Sequence, residues 1–389
     1  MPWKVTNPVN ERMRFVSRLL DGERMTDVCR QFGISRKTGY KIWRRFEKDG
    51  MDAFRDRSRR PLCVPHETPR GIVAQIVELR EKHPTWGPKK LKERLATLHP
   101  EMVVPAKSTI GAILNREGLI KKRMRRRRAT PTPTPLVPGQ APNDLWAMDF
   151  KGEFRVGCGT YCYPLTISDD CSRFLLDCHA LTSTRGKGTQ EALIEVFRQY
   201  GLPQRLRSDN GAPFASTGRL GVTQLSVWLL RLGVTLERIE PGHPEQNGRH
   251  ERMHKTLKAD CPRANGILQQ QENFDAFRNV YNHERPHEAL EMKTPADVYT
   301  PASRQFPEQL PPLNYPNHEL VRRVYSNGHA LLPGRHDKDF YVGTAFNQQY
   351  IGLNPITEDT WSVAFMQWEL GLLDLKTGKL LDMADTAQP

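Results

Sequence analysis

Residues 121–142 cannot enter a core, and they cut the chain in two. Lys121-Lys122-Arg123-Met124-Arg125-Arg126-Arg127-Arg128 carries too much like charge to pack and is expected to stay disordered until phosphates neutralise it. Residues 129–142 continue it as an extended proline-rich spacer. Charge divides the same way. Residues 1–130 hold 32 Lys and Arg against 14 Asp and Glu, so of the chain totals of 58 and 44 the remainder holds 26 against 30. A basic front half on a near-neutral body calls for a polyanionic partner, most simply nucleic acid. The basic run also reads as a nuclear localisation signal, a competing assignment.

The expected organisation is a helix-turn-helix domain over 1–60 and a second helical DNA-binding domain with a basic tail over 61–128. The linker takes 129–142, an α/β core 143–300, and a small β-barrel with a C-terminal tail 301–389. Seven cysteines are an odd number at low density, which fits a reduced chain of free, buried thiols. Cys158, Cys162, Cys171 and Cys178 lack the paired spacing of a zinc ribbon. No run has the length of a membrane span, and Met1-Pro2-Trp3-Lys4 opens no signal core. A cytoplasmic protein is expected.

Residues 11–48 read as three short helices. Phe15, Val16, Leu19 and Leu20 recur at helical spacing, Thr26 is placed to cap the second helix, and Gly33 supplies a turn. Ser35 caps the third, whose first turns carry Arg36, Lys37, Thr38, Tyr40 and Lys41 while Ile42, Trp43 and Phe46 face inward. That is helix-turn-helix geometry, with the basic helix entering the major groove. Ile72, Val73, Ile76, Val77 and Leu79 begin a second helical set; Gly87-Pro88 opens its next helix and Ser108 is placed to cap the last.

From Asp144 the pattern changes. Strands are expected at 145–151, 160–168, 173–180, 204–208 and 234–237, and helices at 189–200, 222–232, 246–260 and 272–283. Strands followed by alternating helices and strands make an α/β layer on a mixed sheet. Turn-bounded apolar runs from about 318 to 382 suggest the small barrel.

Three acids stand where such a layer gathers its chemistry. Asp149 ends Leu145-Trp146-Ala147-Met148, Asp209 ends Leu206-Arg207-Ser208 before the Asn210-Gly211 turn, and Glu251 opens a polar helix after Pro244-Glu245-Gln246-Asn247-Gly248. Carboxylates at strand ends suit hard divalent cations, Mg²⁺ or Mn²⁺, and two ions about 4 Å apart serve both ends of an in-line displacement at phosphorus. His254, Lys255 and Lys258 lie at i+3, i+4 and i+7 from Glu251, one face on which the cations would meet DNA phosphates. Taken alone, that face is better explained as a salt-bridged solvent helix. Asp144 is read as a cap, and Asp169-Asp170 as turn hydrogen bonding.

These contexts together resemble the DDE transposases of bacterial insertion sequences, whose catalytic core is like that of retroviral integrases. The resemblance rests on the tryptophan before Asp149, Ser208-Asp209-Asn210-Gly211, the Pro-x-Gln-Asn-Gly-x-x-Glu run, and Tyr281-Asn282-His283-Glu284-Arg285-Pro286-His287 through Thr294-Pro295. It covers most of residues 11–300 and implies an RNase H-like core with Asp149, Asp209 and Glu251 as metal ligands. The implied activity is hydrolysis at transposon ends, then attack of the freed 3′ hydroxyl on target DNA. The implied form is a homo-oligomer, dimer or tetramer, on paired ends, in the bacterial nucleoid. Arg125, Arg126, Arg127 and Arg128 join the DNA contacts, with His283 and Arg285 as candidates. The spacing from Asp209 to Glu251 exceeds the common one by a few residues, placed around Ala215–Gly221, and no His/His/Cys/Cys zinc unit precedes the core. A transposase-derived regulator without catalysis and an RNase H-like nuclease that does not join are the alternatives.

Overall fold

The computed structural model describes residues 7–57, 67–120, 136–216, 221–240, 243–335 and 337–381. The basic run with Arg125, Arg126, Arg127 and Arg128, and residues 129–135 of the spacer, lie outside them. The chain forms two compact units, residues 1–67 and 68–389.

The first unit is helical. Asn7 accepts from the Val9 N–H to start α1 (Pro8–Leu20), and Ser35 accepts from the Thr38 N–H to start α3 (Arg36–Asp49). Between them α2 (Met25–Gln31) begins one residue before Thr26, behind Arg24 and with no side-chain cap, so Thr26 does not play the role expected of it. Phe15, Val16, Val28, Cys29 and Phe54 form the core, with Ile42, Trp43 and Phe46 only partly buried against it.

The second unit opens with α4 (Arg70–Lys82), α5 (Pro88–Leu98) and α6 (Lys107–Arg116), packed around Ile76, Trp86, Leu91, Leu95, Ile110 and Ile113. Ala106 precedes α6, so Ser108 falls inside the helix rather than at its cap. This set is pinned to the α/β layer: Arg94 pairs with Glu284 at 2.9 Å, Lys89 with Glu288 at 2.7 Å, and Thr85 donates to Asp260 at 2.9 Å.

The α/β layer contains β1 (Leu145–Phe150), β2 (Phe154–Arg155), β3 (Tyr161–Asp169), β4 (Leu175–Leu181), α7 (Gly186–Tyr200), β5 (Arg205–Ser208), α8 (Gln224–Arg231), β6 (Thr235–Arg238), α9 (Gly248–Asp260) and α10 (Ile267–His283). Sheet order is β2-β3-β1-β5-β6 with β4 also on β3. The sheet is mixed, as expected: β1 runs antiparallel to β3 and parallel to β5. Side chains alternate across it. Trp146, Met148, Leu165 and Ile167 join α7 and α8 in one core, while Cys162, Leu175 and Cys178 join Met253, Leu257, Phe274 and Phe277 of α9 and α10 in another. Ala147, Asp149, Thr166 and Ser168 therefore face α9. Cys162 and Cys178 are buried free thiols, whereas Cys158 is exposed, because it sits in the turn before β3 rather than in the sheet.

Asn282 joins α10 to β4. Leu175 N–H donates to its Oδ1 at 2.8 Å, and its Nδ2 donates back to Leu175 C=O at 2.9 Å. Asn282→Ala strands both buried backbone groups and is expected to cost about 2–4 kcal/mol. Urea denaturation reads this, and a midpoint unchanged from the parent would contradict it.

The tail holds β7 (Leu320–Arg323), β8 (His329–Leu331), β9 (Asp339–Tyr341), β10 (Tyr350–Pro355), β11 (Thr360–Phe365), β12 (Trp368–Asp374) and β13 (Lys379–Leu381). The expected barrel does not close. One sheet runs β13-β12-β11-β10-β7, with β7 and β13 at opposite edges, and β8-β9 form a separate pair. Val227 of α8 enters the tail's core beside Val324, Phe340, Ile351 and Phe365, so a helix and a hairpin cover the faces that closure would have buried.

Candidate active site

Parallel pairing sets Leu145 against Arg205 and Ala147 against Arg207. Asp149 and Asp209 each follow two residues beyond the last pair, and the charge of Asp209 bears on Asp149. Gly211 N–H donates to Asp209 Oδ1 at 3.0 Å and fixes that carboxylate. A Cβ at position 211 would stand 3.1 Å from Asp209 Oδ2, so the glycine makes room for the acid. Glu251, exposed in the first turn of α9, completes the group.

The three acids feel one another. Burial pushes Asp149 up to about 7, with the charges of Asp209 and Glu251 adding to it and Lys151 opposing. Among the described residues, no three or more His, Cys, Asp or Glu are gathered closely enough to hold one metal ion.

Behind Asp149 lies a buried polar cluster. Thr166 Oγ1 sits 3.0 Å from Asp149 O, 2.7 Å from His250 Nε2 and 2.6 Å from His254 Nε2. Ser168 Oγ is 2.7 Å from His250 Nδ1, and His254 Nδ1 is 3.7 Å from Asp149 Oδ2. Burial lowers His250 to about 3 and His254 to about 2. The sequence placed His254 among the phosphate contacts, and its burial corrects that: only 7% of its side chain is exposed. Lys255 and Lys258 are exposed on the outer face of the same helix. Thr166, Ser168 and His250 were not singled out from sequence; the signal was present in His250 and His254 four apart and in Thr166 and Ser168 alternating on β3.

The neighbouring acids hold structure. Asp169 accepts from Asn143 N–H at 2.7 Å and Ser172 N–H at 2.7 Å. Asp170 pairs with Arg249 at 2.6 Å and so anchors the start of α9, while Asp144 pairs with Arg205 at 3.2 Å. Arg285 is tied to Thr256 at 3.3 Å and Asp260 at 3.5 Å with its side chain 12% exposed, which removes it from the phosphate contacts; His283 is exposed. In the first unit Arg36, Lys37, Thr38, Tyr40 and Lys41 all lie on the exposed side of α3.

Comparison with known proteins agrees with this architecture. An integrase core domain matches residues 139–244 and again 232–295, a helix-turn-helix domain 11–61, and a homeodomain-like domain 38–114. An uncharacterized protein of insertion element IS476 from Xanthomonas euvesicatoria is 26% identical over 277 residues, 69% of this chain and 70% of that protein. Its counterpart in insertion element IS407 of Burkholderia multivorans is 27% identical over 235 residues, 58% of this chain and 79% of that one. The integrase core and helix-turn-helix domains, together with the similarity to insertion-element proteins, support an insertion-sequence transposase with an integrase-like core. A solved intasome of simian T-cell lymphotropic virus in complex with a PP2A regulatory subunit is 16% identical, covering 76% of this transposase and 97% of that chain, at a TM-score of 0.37. No helix among the transposase's described residues is long and apolar enough to cross a membrane.

Proposed function

We propose that this transposase binds the terminal inverted repeats of its element, hydrolyses the phosphodiester at each end, and joins the freed 3′ hydroxyl to target DNA as a homo-oligomer on paired ends, in the bacterial nucleoid. The observation that carries the reading is the approach of Asp149, Asp209 and Glu251, from two strands and a helix far apart in sequence, where burial first and then the charges of Asp209 and Glu251 push Asp149 up to about 7. Carboxylates left unscreened in a half-buried site are what a hard cation requires.

The donor set of Asp149, Asp209 and Glu251 fits Mg²⁺ or Mn²⁺, being all oxygen and acidic. When bound, such ions lower the pKa of an attacking hydroxyl and stabilise the leaving oxygen. The protein's own part is positional. β1 and β5 fix the two aspartates, Asp170 fixes the start of α9 through Arg249, and Lys255 and Lys258 offer positive charge to the DNA backbone. Glu251→Gln tests the acid directly. It is expected to bind end DNA as the parent does and to cleave at least about a thousandfold more slowly; cleavage at the parent rate removes Glu251 from the ligands.

On the same reading α3 recognises the ends. Alanine at Arg36, Lys37 and Lys41 together is expected to weaken end binding and to lower the slope of log K against log salt by about 2–3. Binding titrations from 50 to 200 mM salt, roughly the range over which such contacts are read, measure it. An unchanged slope excludes α3 as the reading helix.

A further inference from the structure

Proton positions in the cluster behind Asp149 follow from its hydrogen-bond partners. Asp149 C=O, 3.0 Å from Thr166 Oγ1, can only accept, so it takes the one hydroxyl proton. The two lone pairs left on Oγ1 face His250 Nε2 at 2.7 Å and His254 Nε2 at 2.6 Å, and both rings must donate there. Each ring therefore carries a proton on Nε2, and a second proton on His254 would sit on Nδ1 with Asp149 Oδ2 too far away to accept it. His250 Nδ1 then accepts from Ser168 Oγ at 2.7 Å. His254 Nδ1 is left bare, 3.7 Å from Asp149 Oδ2 and beyond hydrogen-bond reach of it. Two lone-pair atoms face each other across a gap of 3.7 Å. Donor atoms about 2.1 Å from one octahedral ion stand roughly 3 to 4 Å apart, which is the separation observed.

We propose that His254 is a fourth residue of the acid site: it is locked as the Nε2–H tautomer by Thr166 and adds a nitrogen donor, Nδ1, to a cation held by Asp149. The assignment rests on the reading of the acids as cation ligands. It carries a specificity. Imidazole nitrogen favours Mn²⁺ over Mg²⁺ relative to an all-oxygen set. It also explains why α9 spends two buried histidines where apolar side chains would pack without partners: Thr166 and Ser168 of β3 set the rings, and the rings aim one atom at the site.

The test uses the full-length protein and two readouts that do not depend on turnover. In metal-free protein labelled with ¹⁵N-histidine, NMR is expected to show His254 protonated on Nε2 and bare at Nδ1; a proton on Nδ1 overturns the proposal. His254→Gln keeps an amide N–H for Thr166 and has no atom at the Nδ1 position. Calorimetric titration is expected to show Mn²⁺ binding weakened about tenfold and Mg²⁺ binding by less than about threefold, with the melting temperature near the parent's. Mn²⁺ affinity unchanged in His254→Gln overturns the proposal while leaving the acids as ligands. A parent protein that binds neither cation overturns the cation reading of the acids, and this proposal with it.

Discussion

Asp149→Asn is expected to slow strand cleavage at least about a thousandfold and, in the absence of metal, to make the protein more stable at pH 8 than the parent. The two effects have one source. Asp149 is raised from 3.8 to about 7 in the folded protein, by burial first and then by Asp209 and Glu251. Its protonated form is therefore favoured by folding, and ionisation works against the fold. The penalty is absent below pH 4, grows as pH rises through the interval from 3.8 to about 7, and is complete above it. At about 1.36 kcal/mol per pH unit this amounts to a few kcal/mol, shared with whatever relaxation the site permits. Asparagine fills the same space without the charge. His250 and His254, held neutral well below their ordinary range, make both proteins lose stability as pH falls below about 6.5, and that loss is common to the two. Thermal unfolding in chelator at pH 4 and pH 8 separates the contributions: matched melting temperatures at pH 4, the variant higher by several degrees at pH 8, and the order reversed when Mn²⁺ saturates the parent. Equal melting temperatures at pH 8 contradict the account of the site.

The second large effect is expected in the first unit. Gly39 lies inside α3 where α1 and α2 press closest, and a Cβ there would meet Cys29 Sγ at 2.5 Å, Met25 Sδ at 2.9 Å and the Phe15 ring at 3.1 Å. Gly39→Val adds three carbons to that contact. Overpacking costs typically 1–3 kcal/mol or somewhat more, and a helical unit of this size rarely holds more than about 3–5 kcal/mol. The unit is expected to unfold, with end binding reduced more than about a hundredfold. The transition of residues 68–389, which have their own cores, should stay where it was. Differential scanning calorimetry and end-binding titrations of the full chain read both. Parent-like end binding by Gly39→Val would mean that α1–α3 do not recognise DNA.

Gly39 also shows where sequence reading ran out. Gly33 was legible because a glycine between two helical patterns marks a turn; Gly39 sits within a pattern and matters only through Cys29 and Met25 across the helix pair. Caps divided similarly. Ser35 stands directly before its periodic run and caps, whereas Thr26 and Ser108 fall inside helices that start behind Arg24 and Ala106. The three acids were legible because each ends a strand-like run or opens a helix beside a turn, and the fold brings them together. The cluster that backs them was not. Thr166 and Ser168 look like the polar side of any half-exposed strand until β3 is set against α9, and His254, counted from Glu251, belongs to an outer face, whereas counted from His250 it belongs to the inner one. In the tail the strands followed from alternation, but alternation does not say whether β7 meets β13. The pairing of Arg94 with Glu284 joins residues 190 apart, which no local pattern carries.

The most direct test of the central claim is strand joining. End DNA of the element, labelled and incubated with full-length protein, a target plasmid and Mg²⁺ or Mn²⁺, is expected to appear covalently joined to the plasmid, with no joined product from Glu251→Gln that binds the same ends. A parent protein that binds those ends under both ions and neither cuts nor joins them would contradict it.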